Sequence, residues 1–461
     1  MVAFLTFLLG LTVGVQRIEL AVDHRVASVE LLLDGQRVAL VQGEPWVAQC
    51  DFGRALLPHH LEAVARDAEG RELDRALQRV NLPREAAEAT VRLEGGDDGY
   101  TGAVLSWRAT DESDPEEILV RFDGEPLAVD RGRVSLPRHD RRSVHVLTAE
   151  LIFHDQVRAE VEVAFGGDYG EEVSTELTAV PLELDDRKAL PSVGEVEPWL
   201  RIGDQPVRVV AVESGPREVV LVRDDASMVT LRSLGRQTSG TGPRRTQSAS
   251  RMSAGLDVKD TLRLTGTHPV LVPIKGGGFT MLFPMSGNQN SHTSGLGFVL
   301  TNMFFRIEDD QREELVAEAV AVAGLRAVAS NRVRALILVR STDSPPPPPG
   351  SLDPANVRGF LAALGVPFFY WTVGPTRDGA EDAWGEAKPI RGWGGVHLAV
   401  GELVEALRPQ FLVWVEGLHK PTEVKLAPEA PTGLRLAGSS RASVSDADTR
   451  PSRRASPAGA G

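Results

Sequence analysis

Apolar and polar residues alternate in short runs over the first 180 residues, and turn sequences separate the runs. Alternation with a period of two is typical of half-buried β-strands. Several of the turns contain an acidic residue followed by glycine, as at Asp34-Gly35 and Asp123-Gly124, and these residue types tolerate the positive φ angles that tight hairpins need. The pattern therefore predicts that the N-terminal part of the chain is all β.

A repeat is visible within this part. VELLLDGQRVAL (29–40) matches EILVRFDGEPLAV (117–129) in pattern, and their turn residues Asp34 and Asp123 lie 89 residues apart. A second pair of similar segments contains His60 and His145, which lie 85 residues apart. Agreement between two spacings favours a true repeat. We expect two immunoglobulin-like β-sandwich modules, at residues 16–83 and 90–180.

Further along the chain, unbroken apolar runs alternate with segments of helical periodicity. Four runs are predicted strands: VVLV (219–222), VRALILV (333–339), VPFFYWTV (366–373) and FLVWVEG (411–417). Predicted helices are 309–330, the segment that begins at Asp353-Pro354, and 397–410. Strand–helix–strand order predicts an α/β domain over residues 181–425 with a mostly parallel, Rossmann-like sheet. In this sheet we expect 219–222 and 333–339 to be neighbouring parallel strands.

Three segments differ from these domains in composition. Residues 1–15 are apolar and too short to span a bilayer comfortably. They are either part of a secretory signal or the first strand of the first module, unless the start is truncated or misplaced. Residues 235–255 are polar and without period, which predicts a flexible loop. Residues 438–461 are rich in Ser, Ala, Arg, Gly and Pro, which predicts a disordered tail. No other segment indicates an integral membrane span.

Composition restricts the possible partners. With 50 Lys+Arg and 64 Asp+Glu residues, the net charge is −14, which argues against a nucleic-acid-binding protein. The single cysteine, Cys50, excludes an internal disulfide and a multi-cysteine metal site.

The polar residues that follow two of the predicted parallel strands are candidate ligands. Asp224, Asp225 and Ser227 follow 219–222, and Asp343 follows 333–339. Parallel strands place their carboxyl ends at one edge of a sheet, where ligands bind in α/β proteins. Carboxylate and hydroxyl oxygens suit Mg²⁺.

These strand ends carry a family resemblance. The segment from about 175 to 420 resembles a von Willebrand factor type A domain, and more narrowly the bacterial VWFA-related proteins with immunoglobulin-like modules ahead of that domain. RDDASM at 223–228 stands where the family has D-x-S-x-S-M, and Thr342-Asp343-Ser344 stands where it has T-D-G. LAALGVPFFYW and EALRPQFLVWVEG match the later helix–strand pairs of the family.

The resemblance implies a metal-dependent adhesion site, with Mg²⁺ as its cofactor, and an extracytoplasmic location in the bacterial periplasm or secreted space. If residues 1–15 are a strand instead of a signal, the location is cytoplasmic. Aligning Ser227-Met228 with the family motif puts Arg223 at the leading ligand position, where a guanidinium would repel or replace a cation. We therefore expect a degenerate site without a cofactor, and an intact Mg²⁺ site is the alternative.

Trp384 and Trp393 lie in the Gly-rich stretch AWGEAKPIRGWGG. Exposed, they would bind a protein partner; otherwise they pack against the sheet edge. The chain has none of the sequence motifs G-x-x-x-x-G-K-[ST], H-E-x-x-H or G-x-S-x-G. The function expected from the sequence is a non-enzymatic interaction or scaffold protein, with an adhesion or sensor domain as the alternative and a hydrolase third.

Overall fold

The computed structural model describes residues 2–438 except 7, 9, 83–86, 97–98, 110–113, 124, 141–144, 154–157, 167–176, 186–188, 215–216, 238–259, 274–278, 287–288, 291–298, 301–312, 331, 375–382 and 418. Within this part the protein is multidomain and consists mostly of β-sheets. The predicted tail at 438–461 lies, apart from its first residue, outside the described residues.

The first β-sandwich encloses its own apolar core. Its strands are β1 (Val2–Phe4), β2 (Val15–Val22), β3 (Ser28–Leu33), β4 (Gln36–Val41), β5 (Val47–Asp51), β6 (His59–Arg66) and β7 (Glu72–Val80). They form two sheets of order β1-β2-β5 and β4-β3-β6-β7. Val2 and Phe4 are buried in the core beside Ile18. Of the two expectations for residues 1–15, a strand therefore describes residues 2–4.

The second β-sandwich repeats this arrangement. Its strands are β8 (Ala87–Gly96), β9 (Gly99–Ala109), β10 (Glu117–Phe122), β11 (Glu125–Leu127), β12 (Val129–Asp130), β13 (Arg133–Ser135), β14 (His145–Ile152) and β15 (Arg158–Phe165). The two sheets have the order β12-β13-β9-β8 and β11-β10-β14-β15. Leu105, Leu147 and Phe165 lie in the core.

Each of the two sandwiches contains an aspartate–histidine contact at the repeated hairpin. Asp34 and Asp123 both have positive φ, 53° and 50°. The carboxylate of Asp34 lies 2.7 Å from His59 Nδ1 and accepts the backbone N–H of the next residue at 2.9 Å. The corresponding distances at Asp123 are 2.6 Å to His145 Nδ1 and 2.8 Å. His59 is thus the counterpart of His145 in the repeat, and the predicted equivalence of His60 with His145 is wrong by one residue.

The two aspartate–histidine contacts have different further partners. Lys420 Nζ lies 2.5 Å from Asp34 in the first sandwich. In the second, His145 Nε2 lies 2.7 Å from the carbonyl oxygen of Asp140, so both ring nitrogens face acceptors. Burial alone would lower the pKa of His145, but the hydrogen bonds to Asp123 and to this carbonyl outweigh it and raise the pKa.

We expect the second sandwich to lose stability as pH rises. A raised folded-state pKa means that the contribution of His145 is complete below the unfolded pKa of about 6.5 and is lost as pH rises through the folded pKa. His145→Gln should lower the free energy of unfolding by about 1 kcal/mol at pH 6 and by less at pH 8.5. Urea unfolding across this range measures the difference. His24→Gln, at a histidine with an 88% exposed side chain, is the control, and an effect of His145→Gln that does not change with pH would contradict the prediction.

A small β unit is built from two separate parts of the chain. Its elements are β16 (Leu177–Leu184), helix α1 (Val193–Val196), a 3₁₀ turn (Glu197–Trp199), β17 (Leu200–Ile202), β18 (Gln205–Pro206), β19 (Val209–Glu213), β28 (Gln410–Glu416), β29 (Val424–Leu426) and β30 (Leu434–Leu436). Its sheets have the order β19-β28-β16-β30 and β18-β17-β29. Strand β28 is antiparallel to both neighbours. The prediction that 411–417 is a fourth strand of the parallel sheet is therefore wrong, because a continuous apolar run does not specify which sheet buries it.

The α/β domain is inserted between these two parts. Its elements are β20 (Arg217–Arg223), α2 (Asp225–Gln237), β21 (Thr261–Thr265), β22 (Val270–Pro273), β23 (Phe279–Leu282), β24 (Gln289–Asn290), α3 (Val316–Ala329), β25 (Val333–Ser341), α4 (Pro354–Ala363), β26 (Phe368–Val373), β27 (Lys388–Ile390) and α5 (Gly392–Leu407). The main sheet has the order β24-β21-β20-β25-β26-β27, and only the edge strand β24 is antiparallel. Val219 pairs with Ala335 in parallel register, which confirms the predicted pairing of 219–222 with 333–339.

Helices cover both faces of this sheet. Helices α3 and α4 pack on one face and α2 and α5 on the other. Helix α2 was not predicted and extends into the first three residues of the predicted loop 235–255; residues 238–259 lie outside the described residues. Strand β21 was also missed. Helix α5 begins at Gly392 instead of 397.

The first sandwich is docked on the α/β domain. Leu56 and Leu82 are buried in the same apolar cluster as Phe360 of helix α4. Asn356 Oδ1 accepts the backbone N–H of Leu56 at 2.8 Å. Together with the contact between Lys420 and Asp34, these interactions fix the first sandwich against the C-terminal half of the chain.

Arg334 joins the ends of two helices. Its side chain is 1% exposed, and burial lowers its pKa to about 10. The guanidinium donates to the carbonyl oxygens of Val328 at 3.3 Å, Leu364 at 3.4 Å and Gly365 at 3.3 Å. These carbonyls lie at the C-terminal ends of α3 and α4, where a helix has no further backbone N–H groups to donate to its last carbonyl oxygens. The carbonyl oxygen of Val328 also accepts the backbone N–H of Ser330. Arg334 therefore adds a second donor there and supplies a donor to the carbonyls of Leu364 and Gly365.

Candidate functional site

The carboxyl ends of β20 and β25 lie side by side in the centre of the parallel sheet. The chain order reverses between these two strands, and α/β proteins bind ligands at such a switch point. Asp224 and Asp225 follow β20, and Asp343 follows β25. The sheet thus brings the two predicted acidic segments to the same edge.

Asp224 is buried and fully engaged within the chain. Its side chain has 0% exposure. Oδ1 accepts the backbone N–H of Ser227 at 2.8 Å. Oδ2 accepts hydrogen bonds from Arg340 Nε at 3.3 Å and from the Ser344 hydroxyl. The Arg340 guanidinium and two further donors therefore compensate the Asp224 carboxylate. In the alternative expected from sequence, Mg²⁺ would do so.

Ser227 serves the start of helix α2. Its side chain is fully buried. The hydroxyl donates to the carbonyl oxygen of Asp224 at 2.8 Å and also lies 3.2 Å from that of Val339. This hydroxyl acts within the first turn of the helix and ties it to strand β25.

Arg223 points elsewhere than the sequence alignment indicates. Its Nη1 donates to the carbonyl oxygen of Val299 at 3.0 Å and to that of Leu300. Burial, together with the nearby charge of Arg232, lowers the pKa of Arg223 to about 10. The guanidinium that pairs with Asp224 belongs instead to Arg340. The only sequence signal for this ion pair was the position of Arg340 at the polar end of an apolar strand.

Asp343 lies at the surface of the same edge. Asp343 is exposed, and its backbone N–H donates to Ser341 Oγ at 3.2 Å. Thr230 Oγ1 lies 3.3 Å from the same hydroxyl. These contacts hold the turn after β25 against helix α2.

A second group of potential ligands lies beside Asp224. Asp225, His268 and Glu314 each offer a ligand atom, and the three atoms lie within 4.8 Å of one another. His268 Nε2 is 3.9 Å from Asp225 Oδ2. Glu314 Oε1 accepts the Asp225 backbone N–H at 2.9 Å and the Thr267 hydroxyl at 2.6 Å. Burial and the charges of the two aspartates raise the pKa of Glu314.

Sequence reasoning found Asp225 and missed the other two members of this group. His268 follows the unpredicted strand β21, and Glu314 comes two residues before α3. A sequence signal existed for each, since both residues lie at the boundary of an element, but their proximity depends on the strand order.

The two candidate tryptophans have different positions. Trp384 is 3% exposed, lies in the apolar cluster of the α3–α4 face and has its ring centroid 5.8 Å from that of Phe368. The prediction that Trp384 is a partner-binding residue is therefore wrong, because its indole surface is already covered. Trp393 lies in the first turn of α5, and its side chain is outside the described part of the structure.

No family model matches the chain, and no curated protein matches it. Among solved structures, the fibronectin(III)-like modules of Clostridium thermocellum CbhA show 14% identity, with 17% of this chain and 93% of that chain covered and a TM-score of 0.16. A β-glycosidase from Bacteroides vulgatus shows 10% identity, with 36% and 24% covered and a TM-score of 0.21. The pilus adhesin of Streptococcus pneumoniae shows 8% identity, with 72% and 42% covered and a TM-score of 0.16.

Proposed function

We propose that this chain is a non-enzymatic interaction or scaffold protein whose α/β domain is von Willebrand A-like and has lost the adhesion-type Mg²⁺ site. The observation that carries the proposal is the compensation of Asp224 by Arg340, Ser344 and Ser227. A buried carboxylate with these partners has little to gain from a cation. The doubly wound sheet supports the resemblance of this segment to von Willebrand A domains.

The same contacts favour a binding role over hydrolysis. A general base must reach the proton that it removes, and a nucleophilic hydroxyl needs such a base beside it. Asp224 is covered by its partners, and Ser227 donates its hydroxyl proton to a backbone carbonyl. The protein partner is unidentified. No helix in the described ranges is long and apolar enough to cross a membrane. The family resemblance supports an extracytoplasmic location, whereas the strand at Val2–Phe4 favours the cytoplasmic alternative, and we propose neither.

Magnesium is expected to leave the thermal stability of the full chain unchanged. A site with a Kd of about 1 mM would add about 1.4 kcal/mol at 10 mM Mg²⁺. Thermal unfolding is compared in EDTA, in MgCl₂ and in NaCl of equal ionic strength, for the natural sequence and for Asp343→Asn. A concentration-dependent rise with Mg²⁺ that Asp343→Asn abolishes would overturn the proposal in favour of a metal-dependent adhesion domain.

A further inference from the structure

Three ligand-bearing side chains from three different elements meet next to the compensated Asp224. Asp225 is the first residue of α2, His268 follows β21, and Glu314 precedes α3. Their ligand atoms lie within 4.8 Å of one another. Of the magnesium ligands expected from sequence, this group contains only Asp225.

The distances suit a small metal ion after modest side-chain movement. Two ligands at about 2.1 Å from a tetrahedral metal lie about 3.4 Å apart. The 3.9 Å between His268 Nε2 and Asp225 Oδ2 is therefore about 0.5 Å too long, and the other two separations, which lie within 4.8 Å, are up to about 1.4 Å too long. Asp225 has a 56% exposed side chain, so a change of its side-chain torsion angles can close this gap without disturbing the core.

The ligand types indicate which ion would bind. Mg²⁺ and Ca²⁺ prefer oxygen ligands, whereas imidazole nitrogen suits Zn²⁺ and neighbouring transition metals. Histidine nitrogen and Asp or Glu oxygen are both zinc ligands, and a tetrahedral ion with three protein ligands has a fourth position for water or another donor.

Contacts around the group hold one ligand in place. Glu314 Oε1 accepts hydrogen bonds from the Thr267 hydroxyl and from the Asp225 backbone N–H. Thr267 is 2% exposed, so its hydroxyl is a fixed donor. Hydrogen bonds of this kind orient metal ligands and strengthen binding.

We propose that Asp225, His268 and Glu314 form a zinc-type transition-metal site with one coordination position open to solvent. The open position would accept a carboxylate or imidazole from a binding partner. The proposal does not depend on the scaffold function. A metal at this place is compatible both with a scaffold protein and with an adhesion domain.

Equilibrium dialysis of the full chain with Zn²⁺ tests the site. We expect one tightly bound ion per chain, and a Kd at least about 100-fold higher in His268→Asn and in Glu314→Gln. Thr267→Val, which removes only the orienting hydroxyl, should raise the Kd by about 10-fold. Asp343→Asn and His24→Asn are matched controls that should leave the Kd unchanged; His24 forms an exposed pair with Asp23 at 3.0 Å.

Folding is monitored separately by urea unfolding in EDTA, where each variant should remain folded and unfold in a single cooperative transition, as the natural sequence does. Equal zinc affinity in all variants, or loss of binding only in His24→Asn, would overturn the proposal. Binding of Mg²⁺ in preference to Zn²⁺ would also contradict it.

Discussion

Arg334→Ala is expected to lower the free energy of unfolding of the α/β domain by about 3–5 kcal/mol. The substitution removes the Arg334 donor from the carbonyl oxygens of Leu364 and Gly365 and one of two donors from that of Val328, and it opens a cavity where a fully buried side chain was packed. Urea unfolding followed by circular dichroism measures the loss. Arg334→Lys should also be destabilising, because a compact ammonium cannot reach three separate carbonyls.

Lys388→Ala is the matched control within the same sheet. Lys388 Nζ lies 2.6 Å from Glu402 Oε1, and its side chain is 38% exposed. Loss of such a surface ion pair costs about 1 kcal/mol at most. If Arg334→Ala changed stability by no more than Lys388→Ala, the role of Arg334 at the helix ends would be refuted.

Arg340→Met should destabilise the domain by about 3–5 kcal/mol, because it leaves the buried Asp224 carboxylate without a cation. Asp224 has 0% side-chain exposure and Arg340 15%, so water cannot replace the lost partner. The measurement is urea unfolding at pH 7. The same substitution also shows how strongly the ion pair stabilises the candidate site.

A double-mutant cycle with Asp224→Asn separates the pair from its surroundings. Asn keeps the shape of Asp and can still accept the backbone N–H of Ser227. Once Asp224 is neutral, Arg340→Met should cost at least about 1 kcal/mol less than in the natural sequence. Additive effects of the two substitutions would mean that Arg340 does not compensate Asp224.

The parts of the fold that follow local patterns could be predicted from sequence. The repeated Asp-Gly hairpins determine local backbone geometry, and both occur as predicted, with Asp34 and Asp123 at positive φ. The runs at 219–222 and 333–339 are buried on both faces, which is typical of central parallel strands. Such signals are properties of a few consecutive residues, so they survive without knowledge of the tertiary structure.

Other features depend on which distant segments meet. Strand β28 has the same apolar character as a parallel strand, yet it pairs with β16, more than 220 residues earlier in the chain. His268 reaches Asp225 because β21 lies beside β20, and Glu314 lies there through its contacts with Thr267 and the Asp225 backbone. The contact between Arg340 and Asp224 was missed for the same reason, since a buried ion pair leaves no periodic trace in sequence.

The split construction of the small β unit has a consequence for synthesis on the ribosome. Strand β16 ends at Leu184, and its neighbour β28 begins only at Gln410. At about 5–20 residues per second, roughly 10–45 s separate their translation. During that interval the nascent chain presents unpaired strand edges. The ion pair between Asp34 and Lys420 can form only later, after Lys420 has been translated. Chains whose translation stops in this interval would be natural targets for chaperones and proteases.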